Sequence, residues 1–178
     1  RAMEEATGVL QVPNATAGHS LGEYSALAVA GVLSISDAVQ LVLERGRLMQ
    51  GACEERPGGM AALIGLDEVT AEEICRESGA QMSTINTEQQ IILAGDHHSL
   101  AMAIDIASAR GAKKAIPLQV GGAFHSGLMS PAQNGLNAMI DSLTFHDPLV
   151  PLVGNVTAKS LATAEEVKEE LRLQLTSC

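Results

Sequence analysis

A serine between two glycines, in the sequence Gly18-His19-Ser20-Leu21-Gly22, has the spacing of a nucleophile elbow. The small residues just before it predict a short strand, and the stretch from Ser20 to Ala30 predicts a helix. A serine at such a turn is lifted out of the sheet and lies at the positive end of the helix dipole. We therefore favour a nucleophilic Ser20 over one that merely caps the helix, with the Leu21 N–H as a donor to an oxyanion.

A serine hydroxyl needs a neighbouring base, and histidine serves best near neutral pH. The sequence contains five histidines: His19, His97, His98, His125 and His146. His125 follows a predicted aliphatic strand that ends in the loop Gly121-Gly122-Ala123-Phe124. Because functional groups gather at the carboxyl ends of strands in open α/β sheets, we predict that His125 is the base. The alternative is a loop histidine without a role. No acid holds a clear supporting position, so a backbone carbonyl behind the imidazole is a workable substitute.

An arginine lies among apolar residues on a helix predicted over 34–50. The apolar positions recur with the helical period and include Ala38, Leu41, Val42, Leu48 and Met49, and Arg45 falls on the same stripe. A buried guanidinium without an acidic partner is unfavourable. Its partner is either an Asp or Glu of the protein or the carboxylate of a substrate, and periodicity does not separate the two. Arginine suits the second role because it grips carboxylates with parallel hydrogen bonds.

The predicted elements divide the chain into a central unit and two flanking segments. Between residues 57 and 118 the predicted elements follow the order βαββαβ, which is typical of a ferredoxin-like unit. Its predicted strands cover 60–64, 81–85, 90–94 and 114–120, and its predicted helices cover 70–78 and 99–110. The flanks, 1–56 and 119–178, indicate one α/β layer structure, with a helix end over 1–10, helices over 130–143 and 163–175, and a strand over 150–155. We predict an α/β protein: an α/β-hydrolase-like core with a parallel sheet, plus an inserted ferredoxin-like subdomain.

Composition limits the possible partners. The net charge of −10 disfavours nucleic acid and anionic membranes, and the aromatic content of 2% disfavours a surface that stacks bases. Cys53, Cys75 and Cys178 are widely spaced and form no C-x-x-C pair, which indicates neither a disulfide framework nor a metal site. No apolar stretch has the length of a membrane span and no signal peptide is visible, so we expect a cytoplasmic location.

Together these motifs closely resemble malonyl-CoA:acyl-carrier-protein transacylases and the related acyltransferase domains of fatty-acid and polyketide synthases. The resemblance rests on Gly18-His19-Ser20-Leu21-Gly22-Glu23-Tyr24, on the segment from Glu44-Arg45-Gly46 to Met49, on Gly59-Met60-Ala61-Ala62 and on Gly121-Gly122-Ala123-Phe124-His125. It covers nearly the whole chain. The joint occurrence and order of the motifs make it highly specific.

The resemblance implies a role for each matching residue. Ser20 is similar to the family's nucleophile, His125 to its base and Arg45 to the arginine that binds the malonyl carboxylate. Leu21 would supply one oxyanion N–H. Further residues implied to contact substrate are Met49, Phe124, Asn86 and Asn155. The family resemblance implies malonyl-CoA as acyl donor, acyl carrier protein as acceptor, no cofactor and a monomeric enzyme.

The sequence also departs from the family pattern. Members begin with a strand and a G-Q-G-x-Q loop whose last Gln supplies the second oxyanion donor, and nothing here matches it. They continue past the position of Cys178 through a segment whose carbonyl supports the histidine, and then a G-P-G loop. In the family frame N-x-N-S-P-x-Q, this chain has Thr84, Asn86 and Gln90, so one Asn is replaced. We therefore expect a chain truncated at both ends, with an incomplete site, and the group that supports His125 is left open.

Two other functions remain open at this point. A serine hydrolase such as a thioesterase would share the elbow, but it would normally carry an acid between Ser and His in chain order and would have no use for Arg45. A non-catalytic fragment that docks carrier protein is the other. Docking an acidic carrier would need a basic patch, for which Arg110, Lys113 and Lys114 are the obvious cluster.

Overall fold

The structure is a computed structural model and describes residues 13–178. The helix end predicted over 1–10 lies outside the described residues. The helices are α1 Leu21–Val29, α2 Ile35–Glu55, α3 Glu68–Ser78, α4 His97–Ala109, α5 Ser130–Ser142 and α6 Ala164–Gln174. The strands are β1 Thr16–Ala17, β2 Gly59–Ile64, β3 Gln81–Thr87, β4 Gln90–Gly95, β5 Lys114–Pro117, β6 Leu152–Val153 and β7 Ser160–Leu161.

Side-chain caps fix where several helices begin. Ser34 caps α2 by accepting a hydrogen bond from the Asp37 N–H at 3.0 Å, as the capping signal predicts. Thr163 and Glu166 form a reciprocal capping box on α6. The prediction for the end of α2 was wrong, because the helix continues from Gln50 to Glu55. Gly51 is tolerated inside it, since Ala52 extends the buried stripe by another turn.

One small sheet carries the turn that contains Ser20. Strand β1 pairs in parallel with β6, so Ala17 lies opposite Val153. The strand predicted over 150–155 is shorter than expected, and an additional strand, β7, pairs with β6 in antiparallel fashion. The α/β class is confirmed, and the sheet is mixed. The parallel pairing brings the chain after β1, at Ser20, beside the chain after β6, at Asn155.

A second sheet is formed within residues 57–118. Its strand order is β3-β4-β2-β5, with every neighbouring pair antiparallel, and α3 and α4 are the two intervening helices. Strand β5 ends at Pro117, before the predicted end at 120. We propose that this segment is a separate ferredoxin-like subdomain, since it combines the βαββαβ element order with a continuous four-stranded sheet.

The apolar core is divided in the same way. One buried cluster joins α1, α2, α5 and α6 with β6, and it includes Tyr24, Leu41, Leu136 and Leu171. A second cluster packs α3 and α4 on one face of the four-stranded sheet. The opposite face of that sheet holds a smaller cluster that includes Ala123, from the loop that leads to His125. Within residues 13–178, the longest apolar helical runs fall short of what crossing a membrane requires.

Candidate active site

The turn that carries Ser20 has a strained backbone. Ser20 has φ of 51° and ψ of −109°, a region that residues with a side chain rarely adopt. Gly18 is required there, because a Cβ at this position would lie 2.1 Å from the backbone carbon of Gly22. The Asn155 side chain accepts a hydrogen bond from the Ser20 N–H and holds the turn from the neighbouring strand end. The hydroxyl thus projects from a tight elbow at the start of α1.

The structure brings His125 to this hydroxyl across more than one hundred residues of sequence. The distance from His125 Nε2 to Ser20 Oγ is 2.9 Å, and His125 is buried. The other ring nitrogen, Nδ1, lies 2.8 Å from the backbone oxygen of Gln174. A carbonyl accepts only, so Nδ1 carries the proton and Nε2 is free to accept one from Ser20.

A backbone carbonyl therefore lies behind the imidazole, which is the alternative to an acidic residue that the sequence left open. Gln174, the last residue of α6, supplies it. The sequence did contain a signal for this residue. Gln174 continues the buried stripe of α6 together with Val167, Glu170 and Leu171, and a polar residue on an apolar stripe is the same signal that singled out Arg45.

Arg45 is buried and faces the same hydroxyl. Its Nη2 donates hydrogen bonds to Ser20 Oγ at 2.8 Å and to the Gln174 side-chain oxygen at 3.2 Å. Its guanidinium carbon lies 5.4 Å from the centre of the Tyr24 ring. Across residues 13–178 it forms no ion pair with an Asp or Glu, and its Nε has no hydrogen-bond acceptor. A partly satisfied guanidinium thus lies beside the candidate nucleophile.

A buried amide separates Arg45 from the nearest carboxylate. The Gln174 side-chain nitrogen donates to the backbone oxygen of Ser20 at 3.1 Å and to the carboxylate of Glu23, while its oxygen accepts from Arg45. The other carboxylate oxygen of Glu23 accepts from the Asn155 N–H at 3.0 Å. Burial raises the pKa of Glu23, and the hydrogen bonds from Asn155 and Gln174 oppose that rise. Glu23, which sequence reasoning had not assigned a role, is part of the framework under Ser20.

The environment of His125 favours the neutral imidazole. Burial is the largest cause, and it lowers the pKa of His125 from its ordinary value because the cation is poorly solvated. The charge of Arg45 and the nearby His19 lower it further, while the hydrogen bond to the Gln174 carbonyl acts in the opposite direction. The His19 ring centre lies 6.1 Å from that of His125, so His19 flanks the site. A neutral histidine beside a serine hydroxyl can act as a general base.

The other predicted site residues, Leu21, Met49, Phe124 and Asn86, lie in different surroundings. The Leu21 N–H makes no hydrogen bond within residues 13–178 and remains available as a donor. Met49 lies one helical turn beyond Arg45 and, like Phe124, packs against the core cluster that includes Tyr24 and Leu41. Asn86 is exposed in β3, and no hydrogen bond in the described part of the chain joins it to Ser20, His125 or Arg45. The substrate-contact roles of these residues stay predictions.

A pocket of about 400 Å³ opens beside the elbow. It is lined by the ends of β1 and β6, including His19, Gly154 and Asn155. For the part of the chain that the structure covers, no group of three or more His, Cys, Asp or Glu side chains is arranged to hold a metal ion. The reactive groups at this edge are therefore the hydroxyl, imidazole and guanidinium described above.

The sequence of this chain is similar to those of known acyl transferases. The model of the acyl transferase domain family matches residues 2–175. The chain belongs to the acyl transferase domain family. The malonyl CoA-acyl carrier protein transacylase of Bacillus subtilis is 41% identical over 170 residues, which are 93% of this chain and 54% of that protein. The chain thus spans about half the length of the curated relatives it matches.

Solved structures of family members have the same fold. A malonyl CoA-acyl carrier protein transacylase from Coxiella burnetii superposes with a TM-score of 0.91 at 36% identity, covering 97% of this chain and 56% of that one. A malonyl-transacylase solved in complex with a type II polyketide acyl-carrier protein gives a TM-score of 0.92 at 37% identity, covering 99% and 58%. This acyl transferase domain chain therefore shares the architecture of those proteins over its own length.

The His125 titration tests the electrostatic description. We expect a midpoint below the ordinary value of about 6.5, since burial disfavours the cation. Arg45→Ala should raise the midpoint, because it removes a positive charge beside the ring. The measurement is an NMR titration of ring resonances in isotopically labelled chain, with the His125 signals assigned from His125→Gln. A midpoint above 6.5, or one that falls in Arg45→Ala, would contradict the account.

Proposed function

We propose that this chain carries the acyl-transfer centre of a malonyltransferase that moves a malonyl group from malonyl-CoA to the phosphopantetheine thiol of acyl carrier protein. One observation supports it above all. The Ser20 hydroxyl oxygen lies 2.9 Å from an imidazole nitrogen and 2.8 Å from a guanidinium nitrogen that pairs with no carboxylate of residues 13–178. The names of the relatives, malonyl CoA-acyl carrier protein transacylase, agree with this choice of donor and acceptor.

In the first half of the proposed reaction, Ser20 becomes acylated. His125 Nε2 takes the hydroxyl proton as Ser20 Oγ attacks the thioester carbonyl of malonyl-CoA. The Leu21 N–H, at the start of α1, donates to the developing oxyanion. The carbon–sulfur bond then breaks, and the coenzyme A thiolate leaves with the proton held by His125. The product is a malonyl ester of Ser20.

In the second half, the same groups act in reverse order. His125, neutral again, takes the proton of the carrier's phosphopantetheine thiol, and the thiolate attacks the seryl ester. Collapse of the tetrahedral intermediate returns the proton to Ser20 Oγ and releases malonyl-carrier. The Gln174 carbonyl holds the imidazole in the tautomer that both halves need. The same reaction serves fatty-acid and polyketide pathways, and no sequence feature favours one over the other.

The state of Arg45 supports malonyl as the acyl group. In the described part of the chain, Arg45 is buried without an ion pair, and its Nε lacks an acceptor. Such a site gains most from a ligand that brings its own carboxylate. An acetyl group would leave the guanidinium without an anionic partner. Arg45 donates a hydrogen bond to Ser20 Oγ, the oxygen that would carry the acyl group. The free carboxylate of a malonyl ester on Ser20 would therefore lie within reach of the guanidinium.

The remaining aspects of the proposal concern cofactors, partners and location. Every proton transfer in the scheme is assigned to Ser20 or His125, so the proposed reaction needs no cofactor. We propose a cytoplasmic enzyme, since malonyl-CoA is an intracellular substrate. Arg110 is a weaker candidate for carrier docking, because its side chain is already paired with Glu73 and Glu77 of α3. Lys113 and Lys114 remain candidates for carrier contact.

Acylation of Ser20 is the first test of the proposed function. Mixing the chain, or the longer polypeptide where its gene encodes one, with malonyl-CoA should give a single malonyl adduct in intact-mass spectrometry. Ser20→Ala should abolish it, whereas Ser25→Ala, at an exposed position on the same helix, should not. An adduct that survives Ser20→Ala would overturn the assignment of the nucleophile. Rapid release of free malonate without carrier would favour the hydrolase instead.

Arg45 provides the test of acyl specificity. Arg45→Ala should lower the preference for malonyl-CoA over acetyl-CoA by about 10- to 100-fold, since a hydrogen bond to a charged group contributes roughly 1.5–3 kcal/mol. The measurement is the ratio of acylation rates with the two thioesters. Arg47→Ala is the matched control, because Arg47 is exposed on the same helix and pairs with Glu44. An unchanged preference in Arg45→Ala would rule out the carboxylate clamp.

A further inference from the structure

His125 is held in an unfavourable backbone conformation. Its φ is 54°, in the left-handed region that a residue with a side chain occupies only when its surroundings impose it. The residue lies in the segment 121–127, which we call the histidine loop. Two local hydrogen bonds hold this loop together. Ser126 Oγ donates to the Ala123 oxygen at 2.6 Å, and Ser130 Oγ donates to the Gly127 oxygen at 2.7 Å. Contacts from outside the loop therefore help to set the position of the imidazole, and one of them comes from Arg56 Nη1, which donates to the Gly127 oxygen at 3.1 Å.

Two side chains of β3 grip the histidine loop on either side of His125. Ser83 Oγ donates a hydrogen bond to the backbone oxygen of Phe124 at 2.9 Å. Gln81 Oε1 accepts a hydrogen bond from the Gly127 N–H at 2.7 Å. One contact lies immediately before His125 and the other two residues after it. Both come from the proposed ferredoxin-like subdomain, and neither is made by the part of the chain that carries Ser20.

Burial shows that the Ser83 contact is specific. Ser83 is only 1% exposed, and a buried hydroxyl without a partner is costly. Its side chain finds that partner in the histidine loop, outside its own sheet. The apolar packing agrees, because Ala123 is fully buried in the cluster formed by Met60, Ala62, Ile92 and Ala94 of the same sheet. A Cβ on Gly58 would lie 3.1 Å from that of Ala123, so the approach is close.

We propose that Ser83 and Gln81 are positioning residues that hold His125 against Ser20, so that the ferredoxin-like subdomain sets the geometry of the catalytic base. This inference rests on the proposed function for the roles of His125 and Ser20. The two hydrogen bonds fix the peptide groups flanking a strained residue. Losing one lets the loop relax toward an ordinary conformation and moves the imidazole away from the hydroxyl. Misplacement of about 1 Å can cost on the order of 100-fold in rate.

Four variants separate positioning from a general loss of stability. Ser83→Ala removes the donor to Phe124, and Gln81→Met removes the acceptor for Gly127 while keeping a side chain of similar length. Gln81→Glu retains an acceptor oxygen at the same place and serves as the rescue variant. Ser78→Ala is the matched control, because Ser78 is buried in the same subdomain and donates to the Ile74 oxygen at 2.7 Å, away from the histidine loop.

The primary readout is solvent exchange of the His125 ring Nδ1 proton, measured by NMR on the 178-residue chain. That proton lies in the hydrogen bond to the Gln174 carbonyl and is protected only while the loop is in place. We expect exchange at least about tenfold faster in Ser83→Ala and Gln81→Met, since local opening becomes easier. It should stay within about twofold of the unchanged chain in Ser78→Ala and Gln81→Glu, whose contacts to the loop are intact.

A second readout is the rate at which a fluorophosphonate probe labels Ser20, which depends on His125 but on neither malonyl-CoA nor carrier. If the imidazole is displaced by a fraction of an ångström, the labelling rate should be about tenfold lower in Ser83→Ala than in the unchanged chain. It should be higher in Gln81→Glu than in Gln81→Met, because the glutamate retains the acceptor. Absence of labelling in the unchanged chain would count against the proposed function, and the exchange measurement would still decide this inference. If Ser83→Ala does not fold, Gln81→Met decides it, since Gln81 is exposed.

The inference is overturned if exchange of the Nδ1 proton is the same in Gln81→Met as in the unchanged chain. It is also overturned if Ser78→Ala accelerates exchange as much as Ser83→Ala, because the effect would then reflect stability alone.

Discussion

This site depends on one constraint: the guanidinium of Arg45 is buried, and no carboxylate from residues 13–178 forms an ion pair with it. Arg45 is 6% exposed, yet its hydrogen bonds go to a serine hydroxyl and an amide oxygen, both neutral. A cation in such surroundings is expensive, and proteins retain one where it has a use. Burial is the largest cause of the lowered pKa of His125, and the charge of Arg45 lowers this pKa further. One side chain therefore affects the pKa of the imidazole and, in the proposed reaction, the choice of acyl group.

The framework around that charge is built from hydrogen bonds that join three separate segments. Gln174 contacts Arg45, Ser20 and Glu23 through its side chain and His125 through its backbone. Asn155 fixes the elbow from the end of β6. Strained backbone at both Ser20 and His125 persists because these contacts, and those from β3, over-determine the geometry. Preorganisation of this kind lowers the reorganisation that the reaction would otherwise require.

The sequence predicted the α/β class and the three central residues because each carries a local signal. The glycines around Ser20, the glycine loop before His125 and the apolar stripe around Arg45 are all visible within a few residues. The sequence allowed a backbone carbonyl behind His125 but did not identify its residue, because such a carbonyl can come from any residue; the place of Gln174 on the stripe of α6 was a clue. The contacts of Ser83 and Gln81 could not be predicted, since they form only when two distant segments pack together. The end of α2 was misjudged because the helix was predicted only to Gln50, while packing of Ala52 carries it on to Glu55.

The proposed mechanism depends on two things. The Arg45 guanidinium binds the carboxylate of the acyl group, and a proton passes between Ser20 and His125. The most direct measurement is a crystal structure of the malonyl ester, trapped on the chain or, where its gene encodes one, on a longer polypeptide. The account predicts the free carboxylate within hydrogen-bond distance of the Arg45 guanidinium, with the ester on Ser20 Oγ and the imidazole still bound to the Gln174 carbonyl. A carboxylate pointing to solvent, with Arg45 paired to a protein acid instead, would contradict it.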